Sequence, residues 1–338
     1  VRVPHKNVLG EVGKGFKVAM KILNSGRTGL GGGCIGAMKS VIEHASKQAK
    51  GRQQFGKSIS EFGLVKQKLG HMMVECYATE SLVTQVAGWV DQGYEDYAVE
   101  AAISKVFATE ALWRTVDEGL QIAGGNGYMC EFPYERIMRN SRINRIFEGT
   151  NDILRLFIAL TAMNDVASQL KDLSSSVEGI FNDPIKGFGP ISDWARKQLA
   201  LSTGVGTEKS AFTRLHPILE PQSKVFEESV RQLAMACDRI LRKHGKNIIG
   251  KQFATRRLAD IMIDQLVLAT TLSRVQGQLE ARGPENCRYE LEIVTVLAGQ
   301  VGRRTRSNFG KIDDNDDELI KSLADRAVEK EGYEWDSL

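Results

Sequence analysis

Apolar residues in this chain recur at intervals of three and four over stretches many turns long, and only seven prolines are available to interrupt them. In 61–92 the stripe runs through Phe62, Val65, Leu69, Met72, Cys76, Val83, Val86 and Val90. In 97–122 it runs through Val99, Ile103, Val106, Trp113, Val116 and Leu120. Such spacing puts one apolar face on a helix and leaves little room for a sheet. Residues 16–50 read as helical too, with a break expected at Asn24–Gly26, where Asn, Ser and Gly favour a cap or turn. A further helix is expected from about Asp152 to Leu170.

The texture then changes. Residues 171–206 are rich in Ser, Gly and Pro and read as a linker or surface-draped segment. Long helical patterns return over 215–306, and the tail 313–332 reads as one more helix with acids at its start, where the dipole favours them. The expectation is two helical domains joined by a loose connector.

Composition excludes several function classes. A net charge of +3 over 338 residues, with no basic arm, argues against nucleic-acid binding. Five well-separated cysteines in no CxxC pairing read as free thiols in a reducing compartment. Five scattered histidines give no metal-ligand spacing, so no metal is expected. No apolar run reaches membrane-spanning length. The opening "VRVPHKNVLG" has no Met, no signal peptide and no transit sequence; it reads as a strand entered mid-protein, in a fragment or a processed chain.

Two motifs are decoys. "GGGCIG" at 31–36 has the glycine spacing of a dinucleotide fingerprint, but helical patterns flank it where a strand is required, so its glycines are read as permitting close helix packing. "DDNDDE" at 313–318 begins like a calcium loop yet has Glu318 at the turn position and Ala324 at the twelfth.

Three clusters can carry chemistry. "GRQQFG" puts Arg52 and Phe55 in one turn at a helix end, a fork for phosphate beside a stacking face. "LQIAGGNGY" puts Gln121 before Gly124 and Gly125, which either cap a helix or let a ligand approach bare backbone. "IFEGTND" sets Glu148 between Phe147 and Gly149. That carboxylate is either an early helix residue favoured by the dipole or a reactive group in dry surroundings.

Taken together, "LNSGR", "RQQFGKSI", "QIAGGNGY" and "YERIMRNSRINRIFEGTNDI" resemble, in order and wording, the C-terminal helical domain of the acyl-CoA dehydrogenases. The extension beyond residue 170, with "HPILEPQSKVFEE" and "LSRVQGQLEA", is similar to the very-long-chain branch and its close relative, family member nine. The resemblance covers essentially the whole chain. It implies a mostly α fold, in which 1–13 is the last strand and exit of a β-domain. It further implies a four-helix-bundle-like C-terminal domain over 14–170, the connector 171–206, and a helical extension over 207–338.

The resemblance also implies the chemistry: FAD-dependent α,β-dehydrogenation of long or very-long-chain acyl-CoA in fatty-acid β-oxidation. Glu148 would be the base that takes the α-proton, with the β-hydride passing to flavin N5. A carboxylate is a stronger base once water leaves its pocket. The thioester carbonyl would be polarised by the Glu148 amide and a flavin ribityl hydroxyl. Some relatives carry the base one residue before the Arg of "LNSGR"; here that position is Gly26, which cannot take a proton.

Arg52, Phe55, Gln121, Gly124, Gly125, Thr150 and Asp152 are implied to contact FAD, with Arg52, Gln121, Gly124 and Gly125 doing so across a subunit boundary in a homodimer. Asn24, Arg27 and Gly149 are implied to contact acyl-CoA. The implied electron acceptor is the electron-transfer flavoprotein, and the implied location is mitochondrial, on the matrix side of the inner membrane (cytoplasmic or membrane-peripheral in a bacterium). With only the last strand of the β-domain present, FAD binding is expected to be incomplete and the isolated fragment inactive. A complex I assembly scaffold with residual dehydrogenase activity is the alternative function. Ile180, Phe181, Phe188 and Trp194, interspersed with Lys186, Arg196 and Lys197, make 171–206 a candidate for peripheral membrane contact.

Overall fold

The computed structural model describes residues 1–163 and 214–335. The segment 171–206, with its expected membrane contact, lies outside the described residues. The first long helix, α1, runs unbroken over Gly15–Gly51. Its buried residues Arg27, Gly31, Cys34, Met38, Val41, Ala45 and Ala49 repeat at three and four, so one stripe faces inward from Arg27 to Ala49. The break expected at Asn24–Gly26 does not occur. Tertiary packing overrides the low helix propensity of these residues.

Two-residue strands β1 (Gln53–Gln54) and β2 (Lys57–Ser58) follow α1 as a hairpin. Phe55 and Gly56, both at positive φ (52° and 80°), form its turn, as a tight two-residue hairpin demands. Helix α2 spans Gly63–Asp91 and α3 spans Ala98–Ala123. Helix α3 is the hub, buried nearly all round from Ala101 to Thr109 and packed on α1 and α2. It ends at Gly124, whose φ of 62° serves the turn that follows.

A one-turn helix α4 (Gly125–Tyr128) and helix α5 (Tyr134–Arg142) lead into the loop that carries Glu148. Residues 151–163 then form α6, capped by the Thr150 hydroxyl, which accepts from the Ile153 N–H at 3.2 Å. Leu154, Ile158, Ala159 and Met163 are the buried face of α6.

The C-terminal helices are α7 (Glu220–His244), α8 (Gln252–Arg282), α9 (Arg288–Asp313) and α10 (Asp317–Glu329). Helix α8 packs against α7 and α9 on one side and α2 on the other. Tyr77 of α2 donates to the Gln278 side chain at 2.6 Å, and the Arg274 guanidinium lies 4.1 Å over the Tyr77 ring. Buried apolar side chains from both sets of helices join one continuous core.

Two sequence expectations need correction. Residues 1–4 are not a strand, and His5–Asn7 form a single 3-10 turn. A strand needs a neighbour for its backbone hydrogen bonds, and none lies beside this segment among the described residues. Among "GGGCIG", only Gly31 mediates close packing. A Cβ there would meet Val83 at 2.7 Å and Ser104 at 3.1 Å, whereas Gly32, Gly33 and Gly36 face open space.

Candidate active site

The loop between α5 and α6 turns through Glu148 and Gly149, at φ 56° and 90°. Positive φ at a non-glycine residue costs roughly 1–3 kcal/mol and persists only where surrounding contacts enforce it. Here they do. Arg27 Nε donates to the Glu148 carbonyl at 3.3 Å, and Lys105 Nζ donates to the Gly149 carbonyl at 2.8 Å. Both cations are buried, so the two carbonyls after Glu148 are fixed from α1 and α3.

The Glu148 side chain points at α1. A Cβ added to Gly26 would lie 3.0 Å from each of its carboxylate oxygens. Its Oε2 is buried and has no hydrogen-bond partner among the described residues. An orphaned carboxylate oxygen is costly and marks a group kept available for something else. The Glu148 N–H likewise donates to no described residue.

Behind the loop lies a polar network. Lys105 Nζ also donates to Asn151 Oδ1 at 2.8 Å, and Asn151 Nδ2 donates to Thr109 at 3.0 Å and Glu110 at 3.1 Å. Arg155 forks onto both Glu110 oxygens at 2.7 and 2.9 Å, and its Nε reaches Asp260 of α8 at 2.6 Å. Burial, then the charge of Arg27, pushes the Lys105 ammonium down to about 8, with Glu148 and Glu110 opposing. Burial would raise the Glu110 carboxyl, but the Arg155 hydrogen bonds and charge hold it below the usual carboxylate range. Burial lowers the Arg27 guanidinium, and Glu148 partly offsets this.

The residues expected to act together fall into two groups. Asn24, Arg27, Glu148 and Gly149, with Thr150 and Asp152 following in the chain, gather against the N-terminal half of α1, where Glu148 faces Gly26. Arg27 is 5% exposed, and its Nη1 donates to Asn24 at 2.9 Å, so these two act on each other and on the loop. Arg52 and Phe55 lie at the other end of α1, about 37 Å away along a helix rising 1.5 Å per residue. Gln121, Gly124 and Gly125 belong to that far end, where Ala123 and Asn126 share a cleft with Lys47 and Gln48. Among the described residues of this chain the two groups stand apart.

The far-end residues fit an aromatic dinucleotide presented from outside the chain. Phe55 is 86% exposed, and a Cβ on Gly124 or Gly125 would meet nothing within 4 Å. Among the described residues the Arg52 side chain has only a long 3.4 Å contact, from Nη2 to Gln54, which leaves most of its donors without a described partner.

The acyl-CoA dehydrogenase C-terminal domain matches residues 13–163, and the ACAD9/ACADV C-terminal domain matches residues 217–333. The very long-chain specific acyl-CoA dehydrogenase of Homo sapiens mitochondria is 40% identical over 337 residues, covering 98% of this chain and 51% of that protein. Its Rattus norvegicus counterpart is 40% identical over 315 residues, covering 93% and 47%. This chain belongs to the acyl-CoA dehydrogenase family. It spans about half the length of the curated relatives it matches. Among solved structures, a Bacillus anthracis acyl-CoA dehydrogenase complexed with FAD superimposes with a TM-score of 0.77 at 28% identity, covering 95% of this chain and 54% of that one.

Within the acyl-CoA dehydrogenase frame, sequence reasoning missed Lys105, Asn151, Glu110, Arg155 and Asp260. The available signal was Lys105 and Glu110 inside "AAISKVFATEAL", a helix segment whose other residues are apolar or small. A cation in such a place must be paired.

Proposed function

We propose that this chain supplies the catalytic base of a FAD-dependent dehydrogenase acting on long or very-long-chain acyl-CoA. The observation that carries the reading is the Glu148 carboxylate, held on an enforced turn with one buried oxygen unpaired, against the gap left by Gly26. A base so placed removes the α-proton of a thioester while hydride leaves the β-carbon, giving the α,β-unsaturated product. FAD, when bound, supplies the hydride acceptor. The Glu148 N–H, which donates to no described residue, is a donor for the thioester oxygen, where charge develops. Thr150 caps α6 beside this site, and Arg52, Phe55, Gln121, Gly124 and Gly125 serve the FAD of a partner copy. The homodimer is therefore part of the proposal.

The mitochondrial location named for the mammalian relatives is proposed for this chain, with reoxidation by an electron-transfer flavoprotein. Peripheral membrane contact through 171–206 belongs to the same reading. Co-sedimentation with cardiolipin-containing vesicles, compared with a Phe181→Ser/Phe188→Ser/Trp194→Ser variant, tests it; equal recovery in the supernatant would reject it.

The deciding experiment is Glu148→Gln in the intact, flavin-loaded protein. The amide keeps the shape but cannot accept a proton. Turnover should fall by at least about 10²–10⁴-fold with flavin content unchanged. Substantial turnover by the variant would place the base elsewhere.

A further inference from the structure

The ion pairs at the seam between α6 and α8 have no part in the chemistry just described, yet they touch the residues that do. Asp260 sits on α8, in the C-terminal helices. Its Oδ1 accepts from Arg155 Nε at 2.6 Å. Arg155 stands one turn into α6 and holds Glu110 of α3 by two hydrogen bonds. Glu110 accepts from Asn151, the first residue of α6, and Asn151 accepts from Lys105. Lys105 ends the chain of contacts on the carbonyl of Gly149, next to the base.

Every link is 3.1 Å or shorter, and Lys105, Asn151 and Arg155 are at most 8% exposed. We propose that Asp260 is a positioning residue for Glu148, acting from the C-terminal helices through Arg155, Glu110, Asn151 and Lys105. The proposal rests on the reading of Glu148 as the base.

Three physical points favour this over a purely structural role. First, the loop needs enforcement, because Glu148 and Gly149 both sit at positive φ. Second, Arg155 has two carboxylates to satisfy in a buried place. Deleting Asp260 removes the partner of its Nε and the charge that helps to hold the guanidinium in its fork on Glu110. Third, Glu110 is also the acceptor for Asn151. A shift in the fork therefore reaches the start of α6 and the Gly149 carbonyl. Such networks couple more strongly than their isolated pairs. The seam is a cavity of about 580 Å³ lined by Glu110, Arg155, Asp260, Asp264 and Arg304, so Arg155 has room to move once released.

The same seam provides an internal control. Asp264, one turn along α8, holds Arg304 of α9 at 2.6 and 2.9 Å; it feels the charge of Asp260 but, among the described residues, shares no hydrogen bond with the chain of contacts that reaches the loop. Asp264→Ala breaks a buried pair of the same chemistry and should destabilise the protein without touching the base.

The test compares Asp260→Ala, Asp260→Asn and Asp264→Ala in the intact, flavin-loaded protein. Asp260→Ala should lower kcat about 10-fold with KM little changed. Asp260→Asn, which keeps an acceptor for Arg155, should recover most of that loss, and Asp264→Ala should leave kcat within about twofold. Amide hydrogen exchange of a peptide covering 146–153 should quicken in Asp260→Ala and not in Asp264→Ala. The proposal is overturned if Asp260→Ala and Asp264→Ala give the same kcat, or if exchange of the loop is unchanged in Asp260→Ala. Failure of the underlying reading looks different: Glu148→Gln stays active while the exchange result still holds.

Discussion

Glu148 faces Gly26 so closely that a single Cβ at residue 26 would stand 3.0 Å from both oxygens of its carboxylate. The resemblance implies that some relatives carry the base at the position of Gly26 instead. Here that position and Glu148 converge on one point in space. A carboxylate from either side could therefore reach the same proton.

Gly26→Ala tests this relationship with two readouts of opposite sign. Gly26 is inside α1 at ordinary helical φ, so alanine there should favour the helix by roughly 0.5–1 kcal/mol. The added methyl must displace the Glu148 carboxylate, and a misplacement near 1 Å can cost about 10²-fold in rate. The expected variant is as thermally stable as the parent and at least about 10-fold slower. A variant of full activity would mean that Glu148 works from some other rotamer.

The glycines of "GGGCIG" should separate in the same way. Gly31 packs where a Cβ would meet Val83 at 2.7 Å, and Gly33 faces open space. Gly31→Ala should destabilise by about 1–3 kcal/mol through overpacking, whereas Gly33→Ala should stabilise by roughly 0.5–1 kcal/mol. Urea midpoints of the two variants check it; equal shifts would refute the packing assignment.

These cases show what was legible in the sequence. The stripe from Phe62 to Val90 marks α2 because burial of one face has a 3.6-residue period, and Gly124 marks the end of α3 because its φ is positive. Asn24–Gly26 misled because a local turn preference weighs less than the packing of a helix of 37 residues. "VRVP" forms no sheet here, because no strand lies beside it among the described residues. Glu148 could be singled out from its setting in "IFEGTND". Asp260 could not, since its partner Arg155 lies 105 residues away and no local pattern joins them.

Helix α10 is tied to α8 chiefly by one ion pair, beside a looser contact of Lys321 with the Phe253 ring at 5.7 Å. It has no buried residue, and Arg257 forks onto Asp317 at its first turn at 2.5 and 2.7 Å. The Arg257 hydrogen bonds hold the Asp317 carboxyl below its ordinary range against a smaller effect of burial. An acid depressed in the folded state stabilises it above the unfolded pKa of about 3.9, and that support is lost as pH falls through the folded value. Asp317→Asn should therefore loosen α10 at neutral pH. Limited trypsin digestion should cut faster after Lys321 and Arg326 in the variant; unchanged cleavage would mean other contacts hold the helix.

Lys105 makes a prediction of the opposite sign. Its ammonium is pushed down to about 8 by burial and by Arg27, against about 10.4 in an unfolded chain. Below about pH 8 both states are charged, and the cost of burying the charge is fully present. Between about 8 and 10.4 the folded amine is neutral while the unfolded chain still binds its proton, so stability from this group rises with pH. Lys105→Met has no such titration. Its urea midpoint should therefore fall increasingly behind the parent's from pH 8 to pH 10, and a constant difference would show that Lys105 keeps its proton. Activity should behave differently. A neutral amine retains two N–H donors, which is enough for its two acceptors, the Gly149 carbonyl at 2.8 Å and Asn151 Oδ1 at 2.8 Å. The loop geometry survives deprotonation, so the parent's kcat should show no fall near pH 8 that is absent from Lys105→Arg.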